Sequence, residues 1–187
     1  MNDDALTGRT GDELPPPARA IGDRVEADGG RDSETDLVRE LACLVVPVMR
    51  LTEQSPSGTF VVTTASRALY VVDIPSPDAV PSVTRHNPYV SLIRDDAPLP
   101  KAGTFSFNAA TGVGQVQWRK DDPAERDVPP DATYMGTYRS TSQVHFIARV
   151  KDRDHADRVT ALLSAYLAHA DGHDLHDRID EHLLGRE

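Results

Sequence analysis

Three scarcities bound the reading of this sequence. A single cysteine, Cys43, cannot close an intrachain bridge, so nothing in the chain calls for an oxidising compartment. No run approaches the roughly 18 apolar residues of a membrane span, and the start, Met1-Asn2-Asp3-Asp4, is acidic where a secretory signal is basic and then apolar. A soluble, cytoplasmic protein is the expectation. Basic clusters are also missing. Of 20 basic residues 17 are arginine, and the three lysines, Lys101, Lys120 and Lys151, stand far apart. Nucleic-acid binders draw affinity from clustered cations on phosphate, so direct DNA or RNA binding is disfavoured.

What is present is acid, unevenly placed. The formal net charge of -10 divides into 4 arginines against 10 acids in residues 1–36, a balance of 11 against 11 in residues 37–150, and 5 against 9 in residues 151–187. The length of 187 residues suits one ordinary domain with a tail, long enough to bury a core without metal or disulfide staples. Residues 1–32 hold Pro15-Pro16-Pro17, Gly29-Gly30, many acids and no aromatic residue. Such a segment buries too little to offset the entropy of ordering, and a disordered acidic arm is expected. A single α+β domain is expected over 33–187.

Ser33 and Asp36 have the spacing of an N-terminal helix cap, and Leu37, Val38, Leu41, Leu44, Val45, Val48 and Met49 follow at helical spacing, predicting a helix over 34–52 that kinks or ends early at Pro47. Val45-Val46-Pro47-Val48 could instead be strand, but the neighbouring leucines favour helix. Cys43 lies in that apolar stretch and reads as a small core residue. Period-two patterning then predicts strands over 59–64 and 69–74, shorter ones over 80–85 and 89–94, and further strands over 104–108, 115–119, 134–138 and 144–150. Hairpins are expected across 65–68, across Thr111-Gly112-Val113-Gly114, and across 139–142. Phe105, Phe107, Val116 and Trp118 alternate with Ser106, Gln115 and Gln117, which gives a sheet with one wet face. Phe105, Phe107, Trp118, Tyr134, Tyr138 and Phe146 are read as core rings. After Asp152 the period turns helical: Ala156, Val159, Leu163, Tyr166, Leu167 and Ala170 form one stripe, with Asp154 and Arg158 as an i,i+4 pair. A short last helix, 174–184, follows Gly172 and carries an Asp174–Arg178 pair.

The densest chemical feature is C-terminal, where His155, His169, His173, His176 and His182 fall in one acidic segment. His169, His173 and His176 are the candidate metal ligands, with Asp171, Asp174 or Asp180 as possible oxygen donors. Gly172 interrupts the helix that would align them, and no HExxH motif occurs. The paired acids Asp95-Asp96 and Asp121-Asp122 each precede a proline-containing turn and suit it as local caps. No catalytic residue and no cofactor is nominated.

Residues 61–74, VVTTASRALYVVDI, continuing to Val83-Thr84-Arg85-His86 and Leu92-Ile93-Arg94-Asp95, resemble a β-meander of small uncharacterised actinobacterial proteins. The resemblance implies a hairpin and a third strand, and no activity. The overall expectation is an α+β domain: an antiparallel sheet of about six to eight strands, curled or partly barrel-like, packed by one N-terminal helix and two C-terminal helices. The expected function is non-enzymatic: a protein-binding or accessory protein of adaptor, regulator or immunity type, with a basic partner favoured by the acidic ends. A metal-dependent or small-ligand-binding enzyme using the C-terminal His/Asp segment is the alternative, and a homodimer through the last helices is a further option.

Overall fold

The computed structural model describes residues 29–76, 79–90, 92, 95–99, 102–120, 124, 126, 129, 134–170 and 172–185. Of the expected arm over 1–32, residues 1–28 lie outside these residues, as do the acids Asp121, Asp122 and Asp171, while residues 29–32 open the first helix instead of belonging to the arm. The chain runs α1 (Gly29–Leu44), β1 (Val45–Pro47), β2 (Arg50–Thr52), β3 (Gly58–Thr64), β4 (Leu69–Ile74), β5 (Ser82–His86), β6 (Ala102–Asn108), β7 (Val113–Trp118), β8 (Thr137–Ser140), β9 (Val144–Val150), α2 (Ala156–His169) and α3 (Leu175–Leu183). The described strands form two antiparallel sheets, β1-β9-β3-β4-β5 and β2-β6-β7-β8. The expected α+β class holds. A single curled sheet does not: the molecule is built as a helical layer, a five-stranded sheet and a four-stranded sheet.

Two local outcomes produce this division. The predicted helix over 34–52 stops at Leu44, and Val45-Val46-Pro47 continues as β1 paired with Ala148–Val150. Proline cannot sit inside the helix, whereas as the last residue of an edge strand it costs little. Lys151 Nζ donates to the Ala42 and Cys43 carbonyls at 3.0 Å, satisfying helix-end groups and placing a cation at the negative end of α1. With Val38, Leu41, Ala42 and Val45 turned to the core, Cys43 falls on the other side of the helix and is exposed, contrary to its expected burial. The second outcome is the corner at 141–143. Strands β8 and β9 do not form the expected hairpin, because β8 pairs with β7 while β9 crosses to the other sheet, between β1 and β3. The expected strand over 89–94 is also absent: its described residues form no strand.

The five-stranded sheet is buried on both faces. Toward the helices it presents Val61, Phe146, Ala148 and Val150, packed on Val38, Leu41, Val159, Leu163, Tyr166, Leu175 and Ile179. Toward the second sheet it presents Phe60, Val62, Tyr70, Val72, Val83 and Ile147, which meet Leu51, Phe105, Phe107, Val116 and Trp118. The other face of the four-stranded sheet is open. There the register sets Thr52, Ser106, Gln115 and Ser140 in one polar row and Thr104, Gln117 and Tyr138 in the next. Tyr138 therefore stands in solvent and not in the core. Both expected i,i+4 pairs are replaced by bonds between helices: Arg158 binds Glu40 of α1 at 2.7 and 2.9 Å, and Arg178 binds Glu34 of α1.

Candidate functional site: the loop end of the sandwich

Four turns meet at one end of the two sheets, and hydrogen bonds tie them together. The β3–β4 turn, Ala65–Ala68, is bound to the β8–β9 corner by Ala65 N to Gln143 O (2.7 Å), Ser66 N to Ser142 Oγ (3.1 Å) and Ser142 Oγ to Ser66 Oγ (2.8 Å). That corner is bound to the β6–β7 turn by Val144 N to Gly112 O (2.9 Å) and Thr141 N to Gly114 O (2.8 Å). The segment after β5 joins through Asn87 Nδ2, which donates to Ser66 O at 3.2 Å. The Asn87 Oδ1 atom accepts from Tyr89 N and Val90 N at 2.9 and 3.0 Å, an Asx turn that a short amide side chain can close locally.

A buried ion pair holds the base of this segment. Arg85 on β5 and Asp95 are each about 5% exposed and bonded through Arg85 Nη1 and Asp95 Oδ2. Arg85 Nη1 also donates to Val90 O at 3.3 Å, and Asp95 Oδ2 accepts from Leu92 N at 2.7 Å. Arg139 of β8 reaches across from the opposite sheet, with Nη1 3.9 Å from Asp95 Oδ1 and its guanidinium 5.1 Å from the centre of the Trp118 ring. Tyr70 is buried beside these groups, and burial pushes its hydroxyl pKa up, with Arg85 and Arg139 opposing. The chain then turns back along β5, with Asp96 N on Arg85 O and Leu99 N on Val83 O, both at 2.8 Å, so this sheet edge is covered by its own loop. Asp95 thus caps the turn that begins at Leu92 and adds a buried charge that sequence spacing could not show, whereas the Asp96 carboxylate lies 2.6 Å from His86 Nδ1 instead of capping a turn.

On this pinned frame sit large apolar side chains in water. Met49, Tyr89, Val90, Leu92 and Val113 are 43–54% exposed. Met49 belongs to the same end because Ala109 N, in the β6–β7 turn, donates to Met49 O at 2.9 Å. Arg67 lies 5.3 Å from the Tyr89 ring centre and bonds the Tyr89 hydroxyl at 3.5 Å. Arg67 and Asp96 are also the non-glycine residues with left-handed backbone among those described, at φ 58° and 61°. Such strain costs of order 1 kcal/mol per residue and gathers where structure serves recognition.

The sequence-nominated histidines take separate places. His169 ends α2 exposed, His173 lies in the α2–α3 turn, and His176 is on α3 with its ring edge-on to Phe146 at 6.2 Å and Nε2 3.5 Å from Asp180 Oδ2. Among the described residues no three His, Cys, Asp or Glu side chains stand close enough to share a metal ion. The partner of His173 is instead His145, at the start of β9, with ring centres 5.4 Å apart and planes at 83°. His145 is the extra residue of a β-bulge, since Thr63 pairs with Phe146 and Thr64 with Val144. No signal in the sequence marks it, since adjacent Phe146 and Ile147 are what a strand buried on both faces carries with or without a bulge.

Comparison with protein-family models, with curated proteins and with solved structures finds no match to this chain. No described helix is long and apolar enough to cross a membrane.

Proposed function

We propose that the chain is a non-enzymatic protein-binding protein, an adaptor, regulator or immunity-type accessory, that engages its partner through the loop end of the sandwich. The observation supporting this is the group of five half-exposed apolar side chains on turns that hydrogen-bond one another. Contiguous exposed apolar surface costs solubility and marks interaction sites. A frame already held by the Arg85–Asp95 pair loses little entropy on binding, which favours affinity. Tyr89 fits the role of anchor: a large amphipathic ring with few rotatable bonds, its hydroxyl and face engaged by Arg67. The partner supplies an apolar pocket for Tyr89, Val90 and Leu92, and the acid concentrated in residues 1–36 and 151–187 favours a partner that also carries basic surface outside that pocket.

The test compares affinity capture from host extract by the wild-type chain and by a Tyr89→Asp, Leu92→Asp double variant, with Gln117→Asp on the open sheet face as control. Partners retained by wild type and control and lost by the double variant, at unchanged melting temperature, support the reading. An identical partner list for all three overturns it.

A further inference from the structure

We propose that the open face of the four-stranded sheet is a binding groove for a neutral oligosaccharide, running from Arg50 and Glu53 at the β2 side to the Tyr138 ring on β8. The groove lies on a different surface from the loop end and does not depend on that reading.

The composition of the face is the first support. Thr104, Ser106 and Asn108 of β6, Gln115 and Gln117 of β7, and Tyr138 and Ser140 of β8 point outward and all end in hydroxyl or amide groups, with Val113 the exception. A solvent-facing surface is ordinarily kept in solution by interspersed Lys, Arg, Glu and Asp. Here, in a chain of which 27% of residues are charged, the outward positions of three strands carry none. Charge enters at the margin, as Arg50 on β2 and Glu53 just after it.

The face is also hollowed. A depression of about 480 Å³ is lined by Arg50, Glu53, Gln54 and Ser106, and one of about 180 Å³ by Glu53, Ser106, Gln115 and Tyr138. Because they share Glu53 and Ser106, the two make one groove across the strands from β2 to β8, three strand spacings or about 14 Å. The side chains of Arg50, Glu53, Ser106, Gln115 and Tyr138 make no hydrogen bond or ion pair to a described residue. Gln117, beside the groove, is by contrast held at both ends: its Oε1 accepts from Thr104 Oγ1 at 3.0 Å and its Nε2 donates to Met135 O at 3.5 Å.

These groups match a chain of sugars. Each sugar hydroxyl donates and accepts at once, and the groove answers both roles, since Ser106 and Gln115 do either, Glu53 accepts and Arg50 donates. Tyr138, 55% exposed, offers a flat ring with few torsions on which the C–H face of a pyranose can lie. Other ligand classes fit less well. Apolar small molecules are held in mostly apolar clefts. Polyphosphates and nucleic acids draw on clustered cations, whereas Arg50 stands alone here with Glu53 against it. The two charges cancel, which favours a neutral ligand.

The test is isothermal titration of the full chain with three neutral probes, maltohexaose, cellotetraose and xylohexaose, beside their monosaccharides and the anionic hexagalacturonate. At least one neutral probe is expected to bind saturably with a Kd of about 1 mM or tighter, and more tightly than its monosaccharide, which cannot span the groove. Tyr138→Ala and Glu53→Ala should each weaken that binding about tenfold or more, while Tyr138→Phe, which keeps the ring, stays within about threefold of wild type. His169→Ala, on the helical layer, should bind as wild type does, and all four variants, altered at exposed positions, should keep the wild-type melting temperature. No saturable binding of any neutral probe overturns the proposal. So does tighter binding of hexagalacturonate than of every neutral probe, or affinity that Tyr138→Ala and Glu53→Ala leave unchanged.

Discussion

The two faces of the five-stranded sheet are packed by different means. On the helix side the filling is mostly aliphatic, and the polar side chains are used to tie helix to helix: Glu34 of α1, Arg178 of α3 and Tyr166 of α2 form one chain of bonds ending on Asp174. On the sandwich side aliphatic residues are joined by more rings, with Tyr70 5.4 Å and Phe105 6.2 Å from Phe107 between ring centres, and its margin holds an ion pair as buried as the rings. Two sheets pack about 10 Å apart, a gap filled by side chains interdigitating from both inner faces, in which each ring covers a large area. The placement of charge is the more instructive difference. A buried ion pair stabilises little against an apolar isostere, while half of one is costly. Retaining Arg85 and Asp95 at the sandwich margin is therefore best understood by what they hold, the segment that carries Tyr89, Val90 and Leu92.

That comparison gives the largest expected effect. Asp95→Ala leaves Arg85 buried beside Arg139 without the shared carboxylate, and should lower unfolding free energy by about 3–5 kcal/mol. An Arg85→Met, Asp95→Leu pair should recover most of that loss yet release the loop, so that denaturation and capture of the partner part company. If the double variant keeps both stability and partner binding, the ion pair does not position the loop and the contrast between the two margins fails. Next in size, Leu163→Ala, fully buried on the helix side, should cost about 2–5 kcal/mol through lost transfer energy and a cavity. Because both cores share one sheet, both variants should shift a single cooperative transition. Two separate melting steps would show that the helical layer and the sandwich are independent units.

The parts of this architecture that could be read in the sequence are those fixed within a few residues of chain. Leu69–Ile74 and Val144–Val150 are strands over the predicted residues, because β-branched runs bounded by turn residues leave little choice. The wet face bearing Ser106, Gln115 and Gln117 followed from period two alone. What escaped depends on partners distant in the chain. The assignment of β8 and β9 to different sheets is decided by what lies on each side of β9, where Val150 meets β1 and Phe146 meets β3, across separations of about a hundred residues. The same holds at the site: Asp95 was legible as a turn residue and not as the counter-ion of Arg85 and Arg139, and His173 was legible as a ligand type while its neighbour His145 was not. The helix takes the early end that Pro47 allowed, although the apolar spacing through Val45, Val48 and Met49 runs on past Leu44.

The smallest expected effect tests the helix side of the comparison at one atom. Tyr166 Oη donates to Asp174 Oδ1 at 2.9 Å and accepts from Arg178 Nη1 at 3.3 Å, so Tyr166→Phe should cost about 1 kcal/mol near neutral pH, with packing kept. The same hydroxyl makes the cost depend on pH. Burial first, and then the bond to the Asp174 carboxylate, push the Tyr166 pKa well above the ordinary tyrosine value, against the pull of Arg178. A phenol whose folded pKa is raised holds its proton in the native state after the unfolded chain has released it. Its stabilisation is thus complete below about pH 10, the unfolded value, and declines as pH rises from there through the folded one. Denaturant melts of wild type and Tyr166→Phe from pH 7 to 11 should therefore show a constant difference up to about pH 9.5 and a narrowing one above. A difference that widens instead would mean that the phenolate is the form the Arg178–Glu34 network favours, and that the helix side carries a charge device of its own.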